Sequence, residues 1–197
     1  MKLVLASSSP YRHRQLQQLG LPFTTMAPAL DETALPGEQV VDYVRRLALA
    51  KARGVGAQCP GSLVIGSDQA CHLNGLPLGK PADAEAAFRH LKLCQGNWVE
   101  FVTGLALVNT ASGREQVTAE SFRVKFRALS DAELRAYIRI DHPLDCAGSF
   151  KVEAAGIALF DAMEGRDYNS LVGLPMMALV DMLVAEGVSP LLDAAGS

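Results

Sequence analysis

Four apolar residues, Leu3-Val4-Leu5-Ala6, run straight into Ser7-Ser8-Ser9-Pro10-Tyr11-Arg12-His13-Arg14, and a helical pattern then continues to a stop at Gly20. This order predicts a buried strand, a hydroxyl-rich turn and a helix, the opening unit of an α/β chain. Ser9 suits the N-cap, because its hydroxyl can accept from a free amide of the first turn. Pro10 suits the first helical position, where a missing N–H costs nothing. The helix N-terminus carries unpaired N–H groups and a partial positive charge, both favourable to an anion. Arg12 and Arg14 add full charges. Two readings stay open: a phosphate cradle with Tyr11 set into it, or a capped helix with solvated arginines.

Further along, Phe23–Met26 reads as a second strand. Asp31-Glu32-Thr33 lies in a loop bounded by Pro28 and Pro36. Two adjacent acids before a helix are either helix-start charges or ligands for a divalent metal. Glu38 to Val55 is the longest helical pattern, with an apolar stripe Val40, Val44, Leu47, Ala48 whose next place is Lys51. A lysine there either snorkels from the edge of the core or aims its ammonium into a cavity. Leu63 to Gln69 reads as a buried strand that delivers Asp68 at its far end, where α/β proteins place functional groups; a helix-capping role is the alternative.

Asn74-Gly75 predicts a tight hairpin between Ala70–Leu73 and Leu76–Leu78. The stretch Gly75 to Lys80 is not a P-loop, since the spacing is short and Pro81 stands where the Ser or Thr is needed. Lys80 sits in a turn with little apolar surface to cover, which suits an outward phosphate contact. Asp83 to Cys94 predicts a helix, Trp98 to Asn109 and Gln116 to Phe126 a second hairpin. Ser130 and Glu133 form a capping box that opens a helix to about Ile140. Asp145 to Glu153 is a loop of small residues with Lys151 and Glu153. Ile157–Phe160 reads as a short strand, residues 164–170 as a polar turn, and Leu171 to Val184 as an apolar helix. The tail from Asp193 is expected to fray. The chain is read as one domain over residues 1–192, with the hairpin and capped helix (about 98–140) as a possible second lobe.

Bulk properties limit the function classes. The 197 residues carry a net charge of −3 and a pI near 5.8, so no global field draws in nucleic acid or anionic lipid. Any phosphate site is therefore a local cluster. Cys59, Cys71, Cys94 and Cys146 form no CxxC pair and read as reduced thiols of a cytosolic protein. The apolar run at the N-terminus is far shorter than the ~7–15 residues of a signal-peptide core. No stretch reaches the ~18 apolar residues of a membrane span. The expectation is a soluble, cytoplasmic protein with no nucleic-acid or membrane partner.

Taken together, eight motifs resemble the Maf-like family of nucleoside triphosphate pyrophosphatases over nearly the whole chain. They are Ser7-Ser8-Ser9-Pro10-x-Arg12, Asp31-Glu32, Lys51, Gly66-Ser67-Asp68-Gln69, Gly79-Lys80-Pro81, Thr103-Gly104, Gly148-Ser149-Phe150-Lys151-x-Glu153 and Asn169-x-x-x-Gly173-Leu174-Pro175. The resemblance implies a mixed twisted sheet with flanking helices around a deep cleft, usually in a homodimer. It implies hydrolysis of a nucleoside triphosphate to the monophosphate and pyrophosphate, with a divalent cation, Mg2+ or Mn2+. Asp68 would accept the proton of the attacking water, Glu32 and Asp68 would hold metal, and Ser7, Ser9, Arg12, Lys51, Lys80 and Lys151 would line the triphosphate.

Three positions depart from the commonest family pattern. Tyr11 stands where an arginine is usual, Gln69 follows Asp68, and Glu153 lies in the later loop. These departures resemble the subgroup acting on 7-methyl-GTP. A methylated, cationic guanine over the Tyr11 ring gains roughly 0.5–2 kcal/mol beyond stacking. An ionised Glu153 can accept from the N1–H and N2–H of guanine together. Gln69 either contacts the base or packs beneath it. The expectation is removal of a modified nucleotide. Its alternatives are a pyrimidine-type (dTTP/UTP) pyrophosphatase and a nucleotide-binding regulator of cell division without turnover.

Overall fold

The computed structural model describes residues 1–194. Strand β1 (Lys2–Ala6) leads through the serine turn into helix α1 (Pro10–Gln17). Strand β2 (Phe23–Thr25) and the long helix α2 (Val40–Gly56) follow, then strand β3 (Ser62–Leu73). Next come strand β4 (Leu76–Pro77), helix α3 (Ala84–Cys94) and strands β5 (Trp98–Asn109) and β6 (Glu115–Phe126). Helix α4 (Asp131–Asp141), strand β7 (Phe160–Gly165) and helices α5 (Tyr168–Val172), α6 (Met176–Ala185) and α7 (Pro190–Asp193) complete the chain. The strands make one mixed sheet in the order β2-β1-β3-β5-β6-β7, with β4 paired to β3. β1 is parallel to both β2 and β3, whereas β4 and β7 pair antiparallel with β3 and β6. The expected mixed α/β architecture is thus present.

By internal packing the residues form two units. The first holds residues 1–68, 103–120 and those from Gly173 on; the second holds 69–102 and 121–172. In the first unit β1 alternates strictly. Leu3 and Leu5 pack with Leu16, Leu174 and Leu179, and Val4 and Ala6 with Ala48, Ala52 and Val55 of α2. Both faces are covered, which is why the strand is a continuous apolar run. Small residues let α2 lie close against the sheet. A Cβ on Gly66 would fall 2.0 Å from the Ala48 carbonyl oxygen, and one on Gly104 2.2 Å from that of Val44. In the second unit Phe101, Phe126, Phe150 and Phe160 meet edge to face around one core.

Three sequence expectations need correction. β3 does not end at Gln69 but runs on to Leu73, so Asp68 is a mid-strand residue. What ends nearby is its pairing with β1, whose last partner is Gly66. Residues Ala155–Leu159 form a 3-10 turn instead of a strand, and β7 begins only at Phe160; a short apolar run does not itself distinguish the two. The single helix expected over Leu171–Val184 is broken at Gly173, whose φ of 127° lies outside the helical region, and α6 restarts after Pro175. Of the tail expected to fray, Asp193 closes α7 and residues 195–197 lie outside the described part. Among the described residues no helix is long and apolar enough to cross a membrane.

Candidate active site

The turn after β1 is built as its sequence suggests. Ser9 caps α1, its hydroxyl accepting from the Arg12 amide at 3.4 Å, and Pro10 opens the helix. The buried Ser7 hydroxyl accepts from the Ser9 amide at 3.1 Å. An open depression of ≈ 420 Å³ faces this turn, lined by Ser7, Ser8, Ser9, Pro10, His13, Arg14 and Thr25. Tyr11 is half-buried, and the Arg14 guanidinium lies 5.3 Å from its ring centre.

The Lys51 alternative resolves toward a buried cation. Close packing of α2 on the sheet carries its ammonium inward, where the residue is 6% exposed. Nζ lies 2.6 Å from Asp68 Oδ1 and 2.6 Å from Glu32 Oε1. The Asp68 side chain is nearly covered, and that of Glu32 is more than half exposed. Burial pushes the Asp68 carboxyl above the ordinary aspartate value, against the opposing pull of Lys51 and Arg12; Glu32 adds a smaller upward push. Burial likewise lowers the Arg12 pKa, with Asp68 and Glu32 working against it. Both acids and both cations therefore belong to one electrostatic cluster.

Arg12 is aimed by a residue the sequence reading did not single out for it. Its Nε donates to the Gly173 carbonyl at 2.8 Å, which leaves the two terminal nitrogens of the fork for other acceptors. The same carbonyl accepts from Ser67 Oγ at 2.8 Å, and that hydroxyl also approaches the Gly104 carbonyl at 2.9 Å. Ser67 is fully buried beside Asp68. The helix break at Gly173 thus exposes an acceptor that an unbroken helix would use internally.

Glu32 is held from α2. The Tyr43 hydroxyl donates to the Glu32 backbone carbonyl at 3.0 Å, and Arg46 Nη2 to the Thr33 carbonyl at 3.2 Å. Arg46 also grips Glu38 through two contacts, at 2.6 and 2.7 Å. Spacing on the polar face of α2 was the only sequence signal for Tyr43 and Arg46.

In the second unit, Gln69 Nε2 donates to the Ser170 and Leu171 carbonyls of α5, at 2.8 and 3.1 Å. These bonds fasten the Gln69 side chain to α5. Lys80 is exposed. Lys151 Nζ lies 3.1 Å from Asp145, and Glu153 is exposed on the same loop. After burial, the Glu153 charge is a further cause that raises the phenol pKa of the exposed Tyr168.

Among the described residues no three His, Cys, Asp or Glu side chains cluster as a metal cage. The donor set nonetheless fits a magnesium-type ion, which takes one or two carboxylates and completes its shell with phosphate oxygens and water. Glu32 and Asp68 converge on one point, now filled by the Lys51 ammonium.

A buried carboxylate flanked by converging cations, on an α/β sheet beside a capped helix start, has the parts of a phosphoanhydride hydrolase. The family model described as "Maf-like protein" matches residues 2–186, and the chain belongs to that family. A protein of Pseudomonas aeruginosa named 7-methyl-GTP pyrophosphatase is 50% identical over 186 residues, covering 94% of this chain and 97% of that protein. Among solved structures, the Staphylococcus aureus Ham1 protein matches with a TM-score of 0.45 and 14% identity, over 64% of this chain and 72% of that one.

Proposed function

We propose that this enzyme hydrolyses 7-methyl-GTP between the α and β phosphates, releasing 7-methyl-GMP and pyrophosphate. The observation that carries the reading is the Asp68 carboxylate, held 2.6 Å from Lys51 and coupled to Arg12 and Glu32. The similarity to the Pseudomonas aeruginosa protein supports the choice of substrate.

In the reaction, a water oxygen bonds to the α-phosphorus while the bond from that phosphorus to the bridging oxygen breaks. Asp68 takes the water proton, and the pyrophosphate leaves with the electron pair. Burial raises the Asp68 pKa, which makes the carboxylate a stronger base than an exposed aspartate. Arg12 and Lys51 neutralise phosphate charge where water is scarce, and the positive end of α1 with the Ser7 and Ser9 hydroxyls receives phosphate oxygens. Glu32 and Asp68 would hold a divalent cation, which would offset charge on the leaving group. Lys80 and Lys151 are assigned to the triphosphate, Tyr11 to the face of the methylated base and Glu153 to its N1–H and N2–H edge. Gln69, tied to α5, supports the wall beneath the base.

A substrate panel tests this. Purified protein with magnesium is given 7-methyl-GTP, GTP, dTTP and UTP, and pyrophosphate release is followed. Preferential turnover of 7-methyl-GTP, abolished in Asp68→Asn, is expected. Equal or better turnover of dTTP and UTP would assign the chain to the pyrimidine group. Binding without turnover in the wild type would make it a sensor. The same reading places the enzyme in the cytoplasm as a homodimer, which light scattering of the purified chain checks.

A further inference from the structure

Helix α4 ends in a way that helix stability alone does not favour. Its last residue is Asp141, a carboxylate at the end where the helix dipole favours cations. One turn earlier, Tyr137 buries its ring in the phenylalanine core with 5% exposure. A buried phenol needs a polar partner, and here it has two. The Tyr137 hydroxyl accepts from the Lys151 amide at 2.9 Å and donates to the Asp141 carboxylate. Asp141 in turn accepts from the Gly156 amide at 3.1 Å and the Ala155 amide at 3.4 Å. The turn closes on itself as well, with the Ala154 and Gly156 amides both donating to the Lys151 carbonyl. Space there is tight: a Cβ on Gly156 would lie 2.3 Å from the Lys151 oxygen.

We infer that Tyr137 and Asp141 are positioning residues for base selection, clasping the two ends of the 151–156 turn so that Glu153 is presented at one fixed height. This rests on the reading that Glu153 meets the guanine edge. Neither residue touches the nucleotide. Their role is to spare a flexible loop the ordering cost at each binding event. A paired contact to N1–H and N2–H is sensitive to such ordering, because both bonds must form together. The capping box at Ser130 and Glu133 secures the other end of the same helix, so the clasp hangs from an anchored element.

Tyr137→Phe tests the inference, since the ring keeps its seat and only the hydroxyl is lost. KM for 7-methyl-GTP is expected to rise about tenfold, the scale of one buried hydrogen bond, with kcat changed less than twofold. The kcat/KM ratio of 7-methyl-GTP over dTTP should fall by a similar factor, a change that general loss of structure does not produce. Asp141→Ala should give the same pattern, and Asp141→Asn, which keeps an acceptor for the turn, should recover much of the ratio. An unchanged ratio in both Tyr137→Phe and Asp141→Ala, in protein that melts as the wild type does, overturns the clasp. So does a uniform loss across all nucleotides. A wild type that prefers dTTP would instead overturn the substrate reading beneath it.

Discussion

The Arg12 Nε donates to the backbone oxygen of Gly173 across 161 residues of chain, at 2.8 Å. That one bond holds the Nε of the guanidinium against Gly173 and leaves the two terminal nitrogens for other acceptors. A Cβ at position 173 would lie 3.3 Å from Arg12 Nε, on a backbone whose φ of 127° suits glycine alone. Gly173→Ala should therefore misplace Arg12. The strain costs about 1–3 kcal/mol, and kcat/KM for the triphosphate should fall by roughly tenfold or more. Steady-state kinetics beside a melting curve separates the two effects.

Lys51→Met removes the cation between Glu32 and Asp68 while keeping the aliphatic stem. Breaking one side of a buried pair costs roughly 3–5 kcal/mol when the remaining charge has no escape. Asp68 has one, by taking a proton, so the loss should be smaller and should grow as pH rises. Denaturant unfolding at pH 5 and pH 8 checks this, with the greater deficit expected at pH 8. Turnover should be lost at both.

For Asp68 in the ligand-free protein the sign follows from its raised pKa. The folded state binds the proton more tightly than the unfolded chain does. Stability is therefore fullest below the unfolded value of about 3.9 and declines as pH rises through the folded pKa. Asp68→Asn removes this dependence on pH. The variant should melt no lower than the wild type at neutral pH while losing turnover, the trade expected where a catalytic group is held against its own solvation. A drop of several degrees would mean that the Lys51 pair holds the fold together.

Glu38 behaves in the opposite sense. Its two contacts to Arg46, with help from the Leu35 amide, draw its pKa down to about 2. Its contribution is present above the unfolded value near 4.5 and lost as pH falls toward 2. Since Arg46 also holds the Thr33 carbonyl, acid should release the loop that carries Glu32. The protection of the amides over residues 31–38, taken against the intrinsic exchange rate at each pH, should fall between pH 4.5 and 2, and Arg46→Met should show the lower protection already at neutral pH.

Much of this was legible in the chain, and the unread part has a common cause. The capped start of α1, the capping box of α4 and the long strands β5 and β6 each follow from residues near one another in sequence. Lys51 stood out because it fell on an apolar stripe. The roles of Ser67, Gly173, Tyr137 and Asp141 are different in kind. Ser67, Tyr137 and Asp141 bond backbone groups in other elements, Gly173 offers its own carbonyl to two distant side chains, and no local spacing encodes such partners. Asp68 is expected at a strand end because Leu63–Gln69 and Ala70–Leu73 read as separate strands; they are one continuous strand, β3, while its β1 neighbour stops. Gly173-Leu174-Pro175 did carry a break signal, which an apolar run on either side obscured.

The quartet of Arg12, Lys51, Glu32 and Asp68 sums to zero when all four are ionised. The resting cluster is in effect an internal zwitterion, already neutralised by its own side chains. Neither a solitary metal ion nor a solitary polyanion is drawn in by a surplus of the opposite sign. What would suit such a cluster is a guest that brings both signs at once, as the proposed nucleotide would when complexed with a counter-ion.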